Sequence, residues 1–391
     1  MECERIMSEG KDVWKKAVQA VKKAGILPIQ PSDTFAEILK QYLTEDEAEF
    51  IGKAYKMKTS QTMEELIKTT KGMTEEAITE MCDNLAAKGF VFNMPSSSGF
   101  MVYRLMPIIV IGVFEYTFMR PKSDDPADQE RLEKLAGLYK TLMSEYRDYV
   151  QSSYDGAVAL FRNAPMTDRT VPIYNTEDGK EIKIDQAVGE DVGEQVMIAK
   201  NVEDIINKFD DISVGNCFCR SYQKILGHDC EINAPMEVCF TFGKSARYVA
   251  KQGFARAVSK EEALEILKKT DEAGLVHKAF HNKNELKEME NSICNCCPDC
   301  CDTFTFWKTG AAPIINYSSY LANVIQDGCT GCGICETKCP MGAQKVTDGK
   351  ASVNEELCIG CGVCAHFCPE NTISLIEKPR TVFLPPARLN Q

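Results

Sequence analysis

Eight of the nineteen cysteines fall in two copies of one pattern. The first copy reads Cys329-Thr330-Gly331-Cys332-Gly333-Ile334-Cys335-Glu336-Thr337-Lys338-Cys339-Pro340. The second reads Cys358-Ile359-Gly360-Cys361-Gly362-Val363-Cys364-Ala365-His366-Phe367-Cys368-Pro369. Each is C-x2-C-x2-C-x3-C-P, and corresponding cysteines lie 29 residues apart. Thiolates are soft ligands, and four around one centre suit an iron–sulfur cubane or a zinc ion. A C-x2-C-x2-C loop wraps three thiolates around one centre, and Gly331, Gly333, Gly360 and Gly362 let the backbone approach closely. The fourth thiolate has to come from elsewhere. Zinc sites built on C-x2-C pairs have no use for the third cysteine and the Cys-Pro of both copies, so the pattern favours iron.

The paired motif resembles that of bacterial-type ferredoxins with two 4Fe-4S clusters, in which the cysteine before proline crosses to the other cluster. The resemblance implies one cluster on Cys329, Cys332, Cys335 and Cys368, and another on Cys358, Cys361, Cys364 and Cys339. Strand candidates Gln344 to Thr347 and Thr372 to Ile376 follow the cysteine loops.

Nine more cysteines lie between residues 217 and 301: Cys217, Cys219, Cys230 and Cys239, then Cys294, Cys296, Cys297, Cys300 and Cys301. Dense thiols upstream of a ferredoxin motif point to at least one additional iron–sulfur cluster, with structural zinc as the alternative. Nine exceed the eight ligands of two cubanes, so a thiol is left over or a centre is unusual. Spacing alone leaves the ligand subset open. Arg220 is placed to offset cluster charge, or else forms an ordinary surface ion pair. His277 and His281 have the spacing of one helical face, and His228 lies two residues before Cys230; each is a candidate extra ligand. His366 is expected to be an exposed neighbour, and Cys3 and Cys82 to be core residues.

The remaining composition is that of a soluble globular chain. At 391 residues two or three domains are expected, with 44% hydrophobic and 26% charged residues. The net charge of −12 disfavours nucleic acid and anionic membranes as dominant partners. No apolar h-region opens the chain, and the apolar stretch Leu105 to Met119 is too short for a membrane span and holds Pro107, Gly112 and Glu115. Cytoplasmic thiols, reduced and free for metal, are the expectation.

Hydrophobic periodicity and capping residues organise the chain into an α+β, multidomain protein. Helices are expected over 11–25, 32–42, 46–55, 62–69 and 74–88, then strands over 90–93 and 100–105 around a Pro-Ser-Ser-Ser-Gly turn. That order resembles a winged helix within a helical domain, residues 1–106. The helix that would enter a DNA groove carries Glu75, Glu76, Glu80 and Asp83 against Lys88, the wrong sign for phosphate. A Cys-rich α+β middle domain is drawn over 107–318, with a long helix near 128–151. A ferredoxin-like dicluster domain follows over 319–380, with a tail over 381–391.

A wider resemblance runs along most of the chain. It rests on Pro107 to Glu115, Cys217-Phe-Cys-Arg220, Cys230, Cys239, the Ser259-Lys-Glu-Glu-Ala263 helix start, Gly274-Leu-Val-His277, Cys294-Asn-Cys-Cys297 and the double ferredoxin motif. These are similar to a family of cytoplasmic 4Fe-4S dicluster proteins of anaerobes with a winged-helix-like N-terminal part. The chain departs from that pattern at Pro298-Asp299-Cys300-Cys301, where a more continuous cysteine run is expected. The resemblance implies electron transfer between redox partner proteins such as a flavoprotein, a ferredoxin or an oxidoreductase subunit. Alternatives are a reductase whose middle-domain cluster binds substrate, and a redox-sensing winged-helix regulator. No dinucleotide fingerprint, P-loop or nucleophile elbow is visible, and no catalytic residue is assigned.

Overall fold

The computed structural model describes residues 2–96, 98–164, 168–186, 201–281 and 290–389. Two compact units emerge. The first comprises Met1–Tyr149, Ser221–His228 and Tyr248–Arg256, and the second Val150–Arg220, Asp229–Arg247 and Ala257–Gln391.

The first unit is mainly helical: α1 (Glu2–Ala24), α2 (Asp33–Lys40), α3 (Glu45–Ala54), β1 (Ser60–Gln61), α4 (Met63–Thr69), α5 (Glu75–Ala87), β2 (Val91–Pro95), β3 (Met101–Leu105), α6 (Val113–Met119) and α7 (Pro126–Ser152), whose last residues belong to the second unit. Capping chemistry sets the helix starts. Ser32, Thr44, Thr62 and Thr74 each accept a backbone N–H from three residues on. Thr44 and Thr62 are completed as capping boxes by Glu47 and Glu65. Strands β1, β3 and β2 form a small antiparallel sheet in that order. Glu75, Glu76, Glu80 and Asp83 are exposed on α5, and Cys82 on the same helix is fully buried. Burial raises the Cys82 thiol to about 12, as suits a packed core cysteine.

The apolar run 105–119 folds as a tight loop leading into α6. Val110 and Ile111 adopt φ values of 69° and 58°, a region β-branched residues avoid. The half-buried carboxylate of Glu115 holds them there. It accepts the N–H of Val110 at 2.8 Å and that of Gly112 at 2.9 Å. Burial raises the Glu115 pKa, and these N–H bonds offset part of that cost.

The second unit contains the remaining elements: α8 (Tyr154–Arg162), β4 (Asp168–Val171), β5 (Ile184–Gln186), α9 (Val202–Asn207), β6 (Ile212–Asn216), α10 (Phe218–Ile225), β7 (Glu237–Phe242), α11 (Gly243–Lys251), β8 (Arg256–Ala257), α12 (Lys260–Glu272), β9 (Val276–His281), β10 (Glu290–Cys296), α13 (Asp302–Lys308), β11 (Ile314–Val324), α14 (Ile334–Lys338), β12 (Gln344–Thr347), β13 (Lys350–Val353), α15 (Val363–His366) and β14 (Ile373–Leu384). Parts of α10, α11 and β8 belong to the first unit. A nine-stranded mixed sheet runs β5-β14-β11-β4-β9-β10-β7-β6-β8. Pairs β11–β4 and β14–β5 are parallel. The strands bracketing the ferredoxin motifs, β11 and β14, are therefore laid into the same sheet as the middle cysteines. Strand β14 also runs to Leu384, so residues 381–384 continue a strand where a tail was expected. The residues beyond it are tied down as well: Tyr154 Oη donates to Pro386 O at 2.6 Å, and Trp307 Nε1 to Pro385 O at 2.9 Å. Among the described residues, no helix is long and apolar enough to cross a membrane.

Replacing Glu115 by Ala should destabilise the protein by about 1–3 kcal/mol, because the N–H groups of Val110 and Gly112 lose their half-buried acceptor. Urea unfolding of wild type and variant measures this, and a loss under about 0.5 kcal/mol would contradict the role given to Glu115.

Candidate metal centres

The two cysteine motifs fold alike. In each, a glycine in the left-handed region, Gly333 or Gly362, precedes the short helix α14 or α15 that carries the third cysteine. Gly331 and Gly360 also have positive φ, and neither leaves room for a Cβ. An added Cβ would lie 2.3 Å from Gly349 O in the first loop and 2.1 Å from Tyr320 O in the second. Between the loops, β12 and β13 form a hairpin turned by Asp348 and Gly349, both at positive φ.

One pocket is lined by Cys329, Cys332, Cys335 and Cys368. Three of these thiols come from the first motif and the fourth from the second. Burial raises the Cys335 thiol, and the charges of Cys332, Cys368 and Cys329 raise it further. The other four cysteines form a matching group. Burial raises Cys361 and Cys364, with Cys339 and Cys358 adding to both. The two groups differ in exposure. Cys332 is exposed, whereas Cys358, Cys361 and Cys364 are buried. Backbone N–H groups reach sulfur in each group: Ala351 N donates to Cys329 Sγ at 3.4 Å, and Ala343 N to Cys339 Sγ at 3.2 Å. The Ala351 bond is the main reason the Cys329 thiol is lowered. The donor set, the backbone donors and the shared pocket suit a cubane at the first group, and the same donor chemistry recurs in the second.

The middle cysteines divide into two groups. Strand β10 points Cys294 and Cys296 to one face by its two-residue repeat. On β7, Cys239 lies between the thiols of Cys217 and Cys294. Cys301 lies between those of Cys219 and Cys296, which hold its thiol well below the usual value. These six form one chain of thiols: Cys217, Cys239, Cys294, Cys296, Cys301 and Cys219. The Cys301 contact, followed by burial, keeps the Cys296 thiol high, and burial does so for Cys219. Cys296 and Cys301 share a continuous core with Cys335, Cys358, Cys361 and Cys364. The remaining three, Cys230, Cys297 and Cys300, gather around Asp299 on the other side of the 296–301 loop.

Two buried cations flank these thiols. Arg220 is 2% exposed and donates to Pro235 O. Burial disfavours its charge, but Cys217, Cys297 and Cys230 more than compensate, and its pKa is raised. That location removes the surface ion pair as an account of Arg220. Lys278 is also buried, pairs with Asp168 at 2.6 Å, and is influenced by Cys296 and Cys301. Nothing in the sequence marks Lys278, because it appears as one lysine within a strand.

The histidines correct the reading from spacing. His277 and His281 lie on β9, a strand, and not on a helix. His277 is engaged at both ring nitrogens, with Asn295 Oδ1 at 2.6 Å and Asp271 Oδ1 at 2.8 Å, so neither nitrogen is turned toward a metal. His366 is buried, with Nδ1 2.6 Å from Asn175 O. It packs as part of the fold instead of standing exposed. His228 belongs to the first unit.

Residues 322–376 match the family model of the 4Fe-4S dicluster domain. No curated protein and no solved structure matches the chain. The matched segment contains all eight motif cysteines, so this part of the protein is an iron–sulfur module suited to electron transfer.

Proposed function

We propose that the protein is an iron–sulfur electron relay. Single electrons pass between a redox partner protein at the face bearing Cys332 and centres deeper in the second unit. The observation that carries this reading is the shared pocket, where Cys368 of one motif joins Cys329, Cys332 and Cys335 of the other. Cluster one is held by those four residues, and cluster two by Cys358, Cys361, Cys364 and Cys339. The clusters, when bound, supply one-electron chemistry, while the chain supplies ligation, burial and N–H donors to sulfur. The difference in exposure gives the relay a direction. Cluster one meets the partner and cluster two lies behind it in the core.

The six-thiol group holds a further iron–sulfur cluster in this reading. Its support is the continuous core that Cys294, Cys296 and Cys301 share with the second cysteine group, and the buried cations Arg220 and Lys278 beside it. An anionic cluster placed there is partly neutralised without exposure to water. The partner is a flavoprotein, a ferredoxin or an oxidoreductase subunit in the reducing cytoplasm, where thiol ligands persist. The chain's acidic balance favours a basic docking face over nucleic acid, and the exposed carboxylates of α5 agree.

Iron and sulfide analysis of anaerobically purified protein tests the reading. More than about eight irons per chain is expected, with substoichiometric iron in the 322–376 module contradicting the relay altogether. Cys339→Ala should remove a ligand from the cluster of Cys358, Cys361 and Cys364 and leave the neighbouring one intact. Electron paramagnetic resonance of the reduced variant should lose the signal of one centre and keep the other. Retention of both signals, with unchanged iron, would contradict the crossed ligand set.

Assembly should depend on pH. Burial holds Cys361 and Cys364 protonated without metal, and binding must expel those protons. The metal-free form thus carries more protons, and cluster affinity should rise with pH. Reconstitution at about pH 8.5 should therefore need less iron and sulfide than at about pH 6.5. Equal yields at equal reagent would show that the thiols are already ionised.

A further inference from the structure

The 296–301 loop presents its cysteines to opposite sides. Cys296 and Cys301 pack into the main core. Cys297 and Cys300 pack in a separate small cluster with Ala234, Leu275 and Cys230. There the sulfurs of Cys230, Cys297 and Cys300 and a carboxylate oxygen of Asp299 all lie within 4.8 Å of one another. Cys230 Sγ is 4.0 Å from Cys297 Sγ and 3.9 Å from Asp299 Oδ1, and Cys300 Sγ is 3.2 Å from Asp299 Oδ2. Ligands bound to zinc at about 2.3 Å in a tetrahedron stand about 3.8 Å apart. The separations of 3.2, 3.9 and 4.0 Å lie near that edge, and all four ligand atoms fall within 4.8 Å of one another. A cubane puts irons and sulfides between its thiolates and spreads them further.

From this geometry we infer a mononuclear zinc site formed by Cys230, Cys297, Cys300 and Asp299, distinct from every iron–sulfur centre. The inference does not rest on the relay reading. Three thiolates and a carboxylate around a divalent cation carry a net charge of about −2. Arg220, buried beside Cys230 and Cys297, offsets part of it. Glu231 N donates to Asp299 Oδ2 at 2.9 Å and orients the carboxylate. The Asp299 that interrupts the cysteine run thereby acquires a role as the oxygen ligand. The ion ties residues 297–300 to Cys230, and so fixes the flanking Cys296 and Cys301 toward the six-thiol group.

Metal analysis of the full chain, produced anaerobically with zinc and iron both supplied, separates this from the relay reading. One zinc per chain is expected whatever the iron content. Iron near eight with one zinc would defeat the middle iron–sulfur cluster and leave this site standing; iron above eight with no zinc would do the reverse. Zinc-edge X-ray absorption should show three sulfurs at about 2.3 Å and one oxygen at about 2.0–2.2 Å. A shell of four sulfurs, or of nitrogen and oxygen alone, would overturn the ligand set. Cys230→Ser should lower zinc retention at least tenfold in a chelator competition. The conservative Asp299→Asn keeps the volume of the side chain and should weaken zinc while leaving the dicluster signals intact. Zinc held as tightly in both variants as in the wild type would place the ion elsewhere.

Discussion

Four thiolates must converge on one centre, and neither C-x2-C-x2-C loop supplies more than three. Everything in the second unit is arranged around that shortage. The first motif turns so tightly that Gly331 has no room for a side chain, and Gly360 repeats the condition in the second. In the proposed ligand sets each loop delivers three sulfurs, and a cysteine from the other motif closes the set. On that proposal neither loop completes its centre without the other. The hairpin β12–β13 and the long pair β11–β14 hold them at the required spacing.

In the middle of the chain the arrangement differs. There the cysteines come from strand ends and neighbouring strands, with β7 and β10 paired side by side and Cys217 following β6. Strand alternation sends Cys294 and Cys296 to one face, while the turn after β10 sends Cys297 and Cys300 to the other. Thiols crowded this closely in a dry interior stay protonated or need cations. Arg220 and Lys278 provide the fixed positive charge, at a desolvation cost that only nearby anions offset. Buried Lys278 is held by the Asp168 carboxylate and by neighbouring sulfur, and buried Arg220 by sulfur.

Much of this was legible in the sequence, for identifiable reasons. A repeat of 29 residues with invariant internal spacing encodes its own local geometry, so the loops and the strand at Gln344–Thr347 could be read directly. Ser32, Thr74 and Ser259 announced their helices by capping, a local chemistry. What sequence did not reveal depends on contacts between distant segments. The division of nine middle cysteines into groups of six and three is set by the register of β7, β9 and β10. His277 and His281 have a spacing that suits helix and strand faces alike, and the choice of strand comes from pairing with β10. Burial of His366 arises from its contact with Asn175, almost two hundred residues away in the chain. Lys278 carries no local signal at all.

The account stands most directly on where iron binds. Anomalous diffraction at the iron edge from crystals of the anaerobically prepared protein would locate it. The account predicts one iron group enclosed by Cys329, Cys332, Cys335 and Cys368, and a second enclosed by Cys358, Cys361, Cys364 and Cys339. Iron bound with Cys339 beside Cys329 and Cys368 beside Cys358, each motif closing on itself, would contradict it.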